Sequence, residues 1–162
     1  MKTIFAETLH ELMKQDKRIW LLTGDLGFGA LDKIRDDFPD RFLNCGVAEQ
    51  NMIGVACGMA QGGLIPFVYS ITPFILYRGF EFVRNDVNYD KANVKLICAG
   101  RDYDYGDLGF SHTCVEDVDV MMMFPNIMSY WPETEKEVID LTRRAAREKH
   151  PFYINLSRFK CK

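Results

Sequence analysis

The sequence predicts an α/β fold, a three-layer sandwich on a mostly parallel six-stranded sheet. Three observations predict it. Short apolar runs recur along the chain, and each is separated from the next by a segment long enough for a helix. The first run ends in a glycine-rich turn, as a buried parallel strand does before its crossover. The 162 residues are 48% apolar and 13% aromatic, enough for one packed core, and no repeat, low-complexity tract or Pro/Gly/Ser-rich linker divides them. Residues 1–162 therefore read as a single domain.

The elements follow in order. Phe5, Leu9, Leu12 and Met13 share one face at helical spacing, with Thr3 placed to cap that first helix. Ile19–Thr23 is the first strand, closed by the Gly24–Gly29 turn. Further strands are expected near Phe42–Asn44, Ile65–Tyr69, Val94–Ala99, Ile127–Trp131 and Phe152–Leu156. The clearest remaining helices are Ala48–Gln61, Phe74–Asn88 and Glu135–Lys149. Thr134 followed by Glu137 gives the last of these a capping box.

Composition excludes several classes. With a net charge of -3 and 27% charged residues, the chain has no basic field to attract nucleic acid or an anionic membrane. Gln50–Tyr77 is uncharged and long enough to span a bilayer, but four glycines, two prolines and several polar residues fit a buried helix followed by a buried strand instead. The five cysteines are odd in number and form no C-x-x-C pair, which suits a reducing compartment. The N-terminus reaches Glu7 and His10 too early for a signal-peptide core, so the expected location is cytoplasmic.

Function is expected in the loops at the carboxyl ends of the strands, residues 24–30, 45–49, 70–73 and 100–113. The first has the order G-x-x-G-x-G rather than G-x-G-x-x-G, and Asp32 stands where the fingerprint's last glycine belongs. A tight strand-to-helix turn explains it better than a dinucleotide oxidoreductase site. Asp102, Asp104 and Asp107 are mis-spaced for a calcium loop, and no metal site is expected on this chain. In the second loop, Glu49 alone has an ordinary explanation, because a carboxylate is favoured in a helix's first turn. The whole string Gly46-Val47-Ala48-Glu49-Gln50-Asn51-Met52 says more.

That string resembles the signature of the transketolase-like pyrimidine-binding domain, and the resemblance covers nearly the whole chain. It includes Thr23-Gly24-Asp25-Leu26, Pro66-Phe67 with Phe74, Tyr77 and Arg78, Gly109-Phe110-Ser111-His112 with Glu116-Asp117, and Tyr153-Ile154-Asn155-Leu156. The resemblance implies thiamine diphosphate as cofactor, with Glu49 hydrogen-bonding a ring nitrogen of the aminopyrimidine and favouring its imino tautomer. It implies that Phe74 and Tyr77 enclose the pyrimidine, with Ile71 where the family's first aromatic stands. It places Asp25 near the cofactor, across the boundary between protomers, and His112 against substrate oxygens.

The family's diphosphate-binding domain holds Mg2+ with a Gly-Asp-Gly turn, and this chain contains none. The implied partner is thus a separate diphosphate-binding transketolase subunit, in a homodimer within a heterotetramer. The implied reaction transfers a two-carbon ketol unit between sugars or sugar phosphates. Ser111 in place of the family's threonine, and the acidic, aromatic Arg101–Tyr105 stretch, bear on the substrate. A 1-deoxyxylulose-5-phosphate-synthase-like subunit, a 2-oxo-acid dehydrogenase subunit and a non-catalytic regulatory domain of the same fold are the alternatives.

Overall fold

A computed structural model of the chain describes residues 1–159, which leaves Cys161 outside the described residues. Each run expected as a strand overlaps one. The order is α1 (Lys2–Gln15), β1 (Ile19–Thr23), α2 (Asp32–Asp37), β2 (Phe42–Asn44), α3 (Glu49–Gln61) and β3 (Ile65–Ile71). An irregular helical segment with α4 (Phe80–Phe82) at its centre follows. It leads to β4 (Lys95–Ala99), α5 (Asp117–Met122), β5 (Met128–Tyr130), α6 (Glu135–Arg147) and β6 (Phe152–Leu156).

The six strands form one sheet in the order β2-β1-β3-β4-β6-β5, and every neighbouring pair is parallel. Strand residues alternate between two cores. On one face Phe5, Leu9 and Met13 of α1 and Val138 and Ala145 of α6 pack on Leu21, Phe67 and Ile154. On the other, Met52, Ile53 and Ala56 of α3 join Ile75, Leu76, Val83 and Val87 over Leu22, Val68 and Leu96. Burying both faces removes the polar alternation that a half-exposed sheet would show, hence the continuous apolar runs.

Sheet order positions the site. The chain leaves β1 for β2 on one side, then crosses back over β1 to form β3, so Leu21 is in register with both Phe42 and Phe67. Crossovers therefore diverge between β1 and β3 and leave a crevice at their carboxyl ends, where ligands of open α/β sheets bind.

Several expectations need correction. Thr3 lies inside α1, whose N-cap is Met1 without a side-chain cap bond. Phe74–Asn88 is not one regular helix: Phe74–Arg78 and Val83–Tyr89 are π-helical and flank α4. Gly79 between them lets the segment lie close to α3, since a Cβ there would lie 2.3 Å from Ile53 Cδ1 of α3 and 2.7 Å from the Ile75 carbonyl oxygen. Such π turns are commonly found at functional sites. The Thr134–Glu137 capping box forms as expected. Among the described residues no helix is long and apolar enough to cross a membrane.

Candidate active site

Glu49 opens α3 directly above the β1–β3 crevice and is buried, with 1% of its surface exposed. Ser70, one residue before the end of β3, donates its hydroxyl to Glu49 Oε1 at 3.1 Å. Gly24 follows β1 immediately, and a Cβ at that position would stand 3.1 Å from Glu49 Oε1 and 3.3 Å from Ser70 Oγ. A side chain at residue 24 would thus crowd the carboxylate. Glycine keeps this wall of the site flat.

The second carboxylate oxygen, Oε2, accepts a hydrogen bond from Arg78 Nη1 at 3.0 Å. The Arg78 guanidinium carbon also lies 4.0 Å from the centre of the Phe74 ring. Phe74 in turn meets the edge of the His112 imidazole, with ring centres 5.0 Å apart and planes at 72°. His112 Nδ1 is 2.9 Å from Ser111 Oγ. Glu49, Arg78, Phe74 and His112 therefore form one continuous chain of contacts from a buried acid to a half-buried imidazole.

Tyr77 and Phe74 are three residues apart, yet they make different contacts. The i→i+5 bonding of a π-helical turn is wider than an α turn, so residues three apart no longer stack. Tyr77 lies with its hydroxyl 3.2 Å from Cys114 Sγ, and burial pushes that thiol up to about 11 despite the opposing effect of the phenol. Glu116 is held below the usual carboxylate range, first by a hydrogen bond from Tyr77. Ile71 ends β3 half-buried, in register with Ala99.

Asp25 sits at the same edge, but its carboxylate takes the Asn44 amide at 2.8 Å, while Asn44 Oδ1 accepts from the amides of Asp25 and Gly46. Its backbone φ of 57° is in the left-handed region, which aspartate tolerates. The pairing ties the loop after β1 to the loop that delivers Glu49. In the glycine turn itself, the Gly29 N–H donates to Asp32 Oδ2 at 3.1 Å, so an anion of the chain already occupies the donor that a phosphate would use. This supports the plain turn over a dinucleotide site.

Two groups of partners were not legible beforehand. Ser70 and Arg78 were visible in the sequence, but nothing marked them as the two partners of Glu49. The loop that carries His112 is also anchored by a buried polar cluster at the start of α5. Asp117 Oδ2 accepts from Trp131 Nε1 at 2.7 Å, Tyr153 Oη at 2.7 Å and Asn155 Nδ2 at 2.6 Å. Asn155 Oδ1 meets the Thr72 hydroxyl at 3.3 Å, two residues before Phe74. One network thus fixes both arms of the site. Among the described residues, no three His, Cys, Asp or Glu side chains come together to hold a metal ion.

The fold is an all-parallel α/β sheet with a buried acid over its switch point, linked through Arg78 to an aromatic ring. Residues 1–162 match the family "Transketolase, pyrimidine binding domain", and the chain belongs to it. It is 37% identical over 159 residues to a putative transketolase C-terminal section of Methanocaldococcus jannaschii, covering 98% of this chain and 50% of that protein. It is 32% identical over 155 residues to one of the subunits of an apulose-4-phosphate transketolase of Phocaeicola vulgatus, covering 95% of this chain and 50% of that protein. Among solved structures, a split-gene transketolase described as an inactive beta4 tetramer superposes with a TM-score of 0.85 at 32% identity, covering 97% of this chain and 51% of that one. The chain spans about half the length of these relatives.

Proposed function

We propose that this chain is the pyrimidine-binding part of a split, thiamine-diphosphate-dependent transketolase, transferring a two-carbon ketol unit between sugars or sugar phosphates. A separate diphosphate-binding subunit would hold the Mg2+, and the working assembly would be a homodimer of this chain within a heterotetramer. The observation that carries the reading is Glu49, a carboxyl group buried to 1% exposure at the switch point, beside a glycine-flattened wall and an aromatic face. These residues fit an aminopyrimidine, which needs an acid at one ring nitrogen and a flat apolar surface. The relatives named as a C-terminal section and as a subunit of transketolases support a split enzyme.

When bound, the cofactor supplies a carbon nucleophile, while the protein supplies position and electrostatics. Glu49 holds the hydrogen-bonding position at the ring nitrogen, and the low dielectric around a buried group strengthens that bond. Phe74 offers the stacking face, with Tyr77 and Ile71 as the flanking apolar surface. Asp25 lines the same edge and stiffens the loop before Glu49. His112, half-buried beside Phe74, supplies the imidazole by which substrate oxygens would be held. The surroundings of this edge remain wet in the free chain: Val47 is 70%, Phe28 69% and Phe110 90% exposed, an apolar rim suited to a partner protein. Cys45, Cys57, Cys98 and Cys114 are free thiols, in keeping with a cytoplasmic setting.

Calorimetry tests the split. Thiamine diphosphate with Mg2+ should bind tightly only when the diphosphate-binding subunit is present, and turnover should appear only then. Micromolar binding and turnover by this chain alone would overturn the proposal.

A further inference from the structure

The proposed chemistry leaves one positive group at the Glu49 site without a task. The Arg78 guanidinium is planar, carries N–H groups, lies 4.0 Å from the centre of Phe74 and bonds Glu49 Oε2 at 3.0 Å. An aminopyrimidine offers the same features at the same two places: a flat ring for Phe74 and a nitrogen for Glu49. One site therefore has two claimants. A bare carboxylate at 1% exposure is costly, and Arg78 removes that cost while no ring is present. Arg78 itself is 47% exposed, and its side-chain hydrogen bond among the described residues is the one to Glu49, so the side chain can leave without breaking a buried network.

We infer that Arg78 is a built-in stand-in for the pyrimidine ring: it fills the subsite on Phe74 and Glu49 in the free chain and is displaced when a ring is seated. This deepens the proposed function and rests on it, naming the residue that sets the affinity of that same site. Cofactor binding is then an exchange of partners on Glu49. The apparent affinity falls by the fraction of molecules in which Arg78 is out; if that fraction is about 1–10%, the reduction is roughly ten- to a hundredfold. A lysine would keep the ion pair but lose the flat stack, because only arginine presents a planar fork.

The test titrates thiamine diphosphate with Mg2+ into the complex of this chain and its diphosphate-binding subunit, comparing the unmodified complex with Arg78→Met and Arg78→Lys by calorimetry. Melting temperatures verify that each form is folded. The expected result is a dissociation constant about ten- to a hundredfold lower in Arg78→Met, with Arg78→Lys between the two. Unchanged or weaker binding in Arg78→Met, with tight binding in the unmodified complex, overturns the role of Arg78 and leaves the proposed function standing. No binding in any folded form overturns the proposed function and this inference with it.

Discussion

Two buried charges mark opposite edges of the sheet, and they are treated in opposite ways. Lys95 begins β4 at the amino edge with no exposed surface, and Glu49 lies over the carboxyl edge at 1% exposure. Lys95 Nζ donates to Asn93 Oδ1 at 2.6 Å, to the Glu148 carbonyl at 2.9 Å and to the His150 carbonyl. In the protonated form all three donors are spent on groups of the same chain, two of them carbonyls just beyond the end of α6. Glu49 instead relies on one hydroxyl and on an arginine that is half in water. A charge whose partners are all fixed serves the fold. A buried charge whose main partner can leave is available for a ligand.

The largest expected effect follows from replacing the exchangeable charge. In the complex with a diphosphate-binding subunit, Glu49→Gln should lower turnover roughly a hundred- to ten-thousandfold, the range of a positioned acid–base group. The change is nearly isosteric and puts a neutral amide where the acid was, so the fold should be retained. Steady-state rates, melting temperatures and the proton-exchange rate at the cofactor's thiazolium carbon, taken on one preparation, separate the two effects. Exchange as fast as in the unmodified complex would place Glu49 with Lys95 as a structural charge.

Lys95→Met should do the reverse. It removes the donor from two part-buried carbonyls and from Asn93, and a buried polar group left unsatisfied costs about 1–3 kcal/mol, so the variant should unfold at lower urea while its folded fraction turns over normally. A catalytic defect at unchanged stability would break the comparison.

Burial pushes the Lys95 ammonium down to about 7, from an ordinary value of 10.5. Between those two pH values the unfolded chain holds the proton and the folded chain releases it, so the stability tied to this group rises with pH across the window and levels off below about 7. Unmodified protein should therefore gain stability over Lys95→Met from about pH 7 to about pH 10, by on the order of a few kcal/mol. Urea unfolding of both forms at the two pH values measures it, since groups common to both cancel. A difference that shrinks with rising pH would contradict the assignment.

The strands were legible because both faces are buried and each becomes an uninterrupted apolar run, as Ile65–Ile71 shows with six of its seven residues buried. The short helices α2 and α5 were not legible, since six residues cannot display a helical period. Thr3 was misplaced as a cap because α1 starts at Lys2, two residues earlier than a cap at Thr3 requires. In the site, Glu49, Phe74 and His112 could be named from a motif. Their contacts could not: Ser70 reaches Glu49 only because β3 skips β2 to pair with β1, and Arg78 reaches it from a segment that Gly79 lets lie close to α3. Register and close approach are properties of the folded chain, and single residues do not announce them.

The smallest expected effect sharpens the comparison within one helix, because α6 is capped at both ends by different means. At its N-terminus the Thr134 hydroxyl accepts from the Glu137 amide at 3.2 Å, and Glu137 Oε2 accepts from the amides of Glu133 and Thr134. Thr134 and Glu137 are both exposed, so water can replace whichever bond is lost. Thr134→Ala should therefore cost about 1 kcal/mol, the usual value of an N-cap, with no change in turnover. Lys95, itself without exposed surface, satisfies carbonyls beyond the other end, and its loss should cost more. Urea midpoints of the two variants at neutral pH, with the slope of unfolding unchanged, give the ratio directly. Equal losses would mean that burial adds nothing to the Lys95 contacts, and the argument that fixed buried partners mark a structural charge would fail with them.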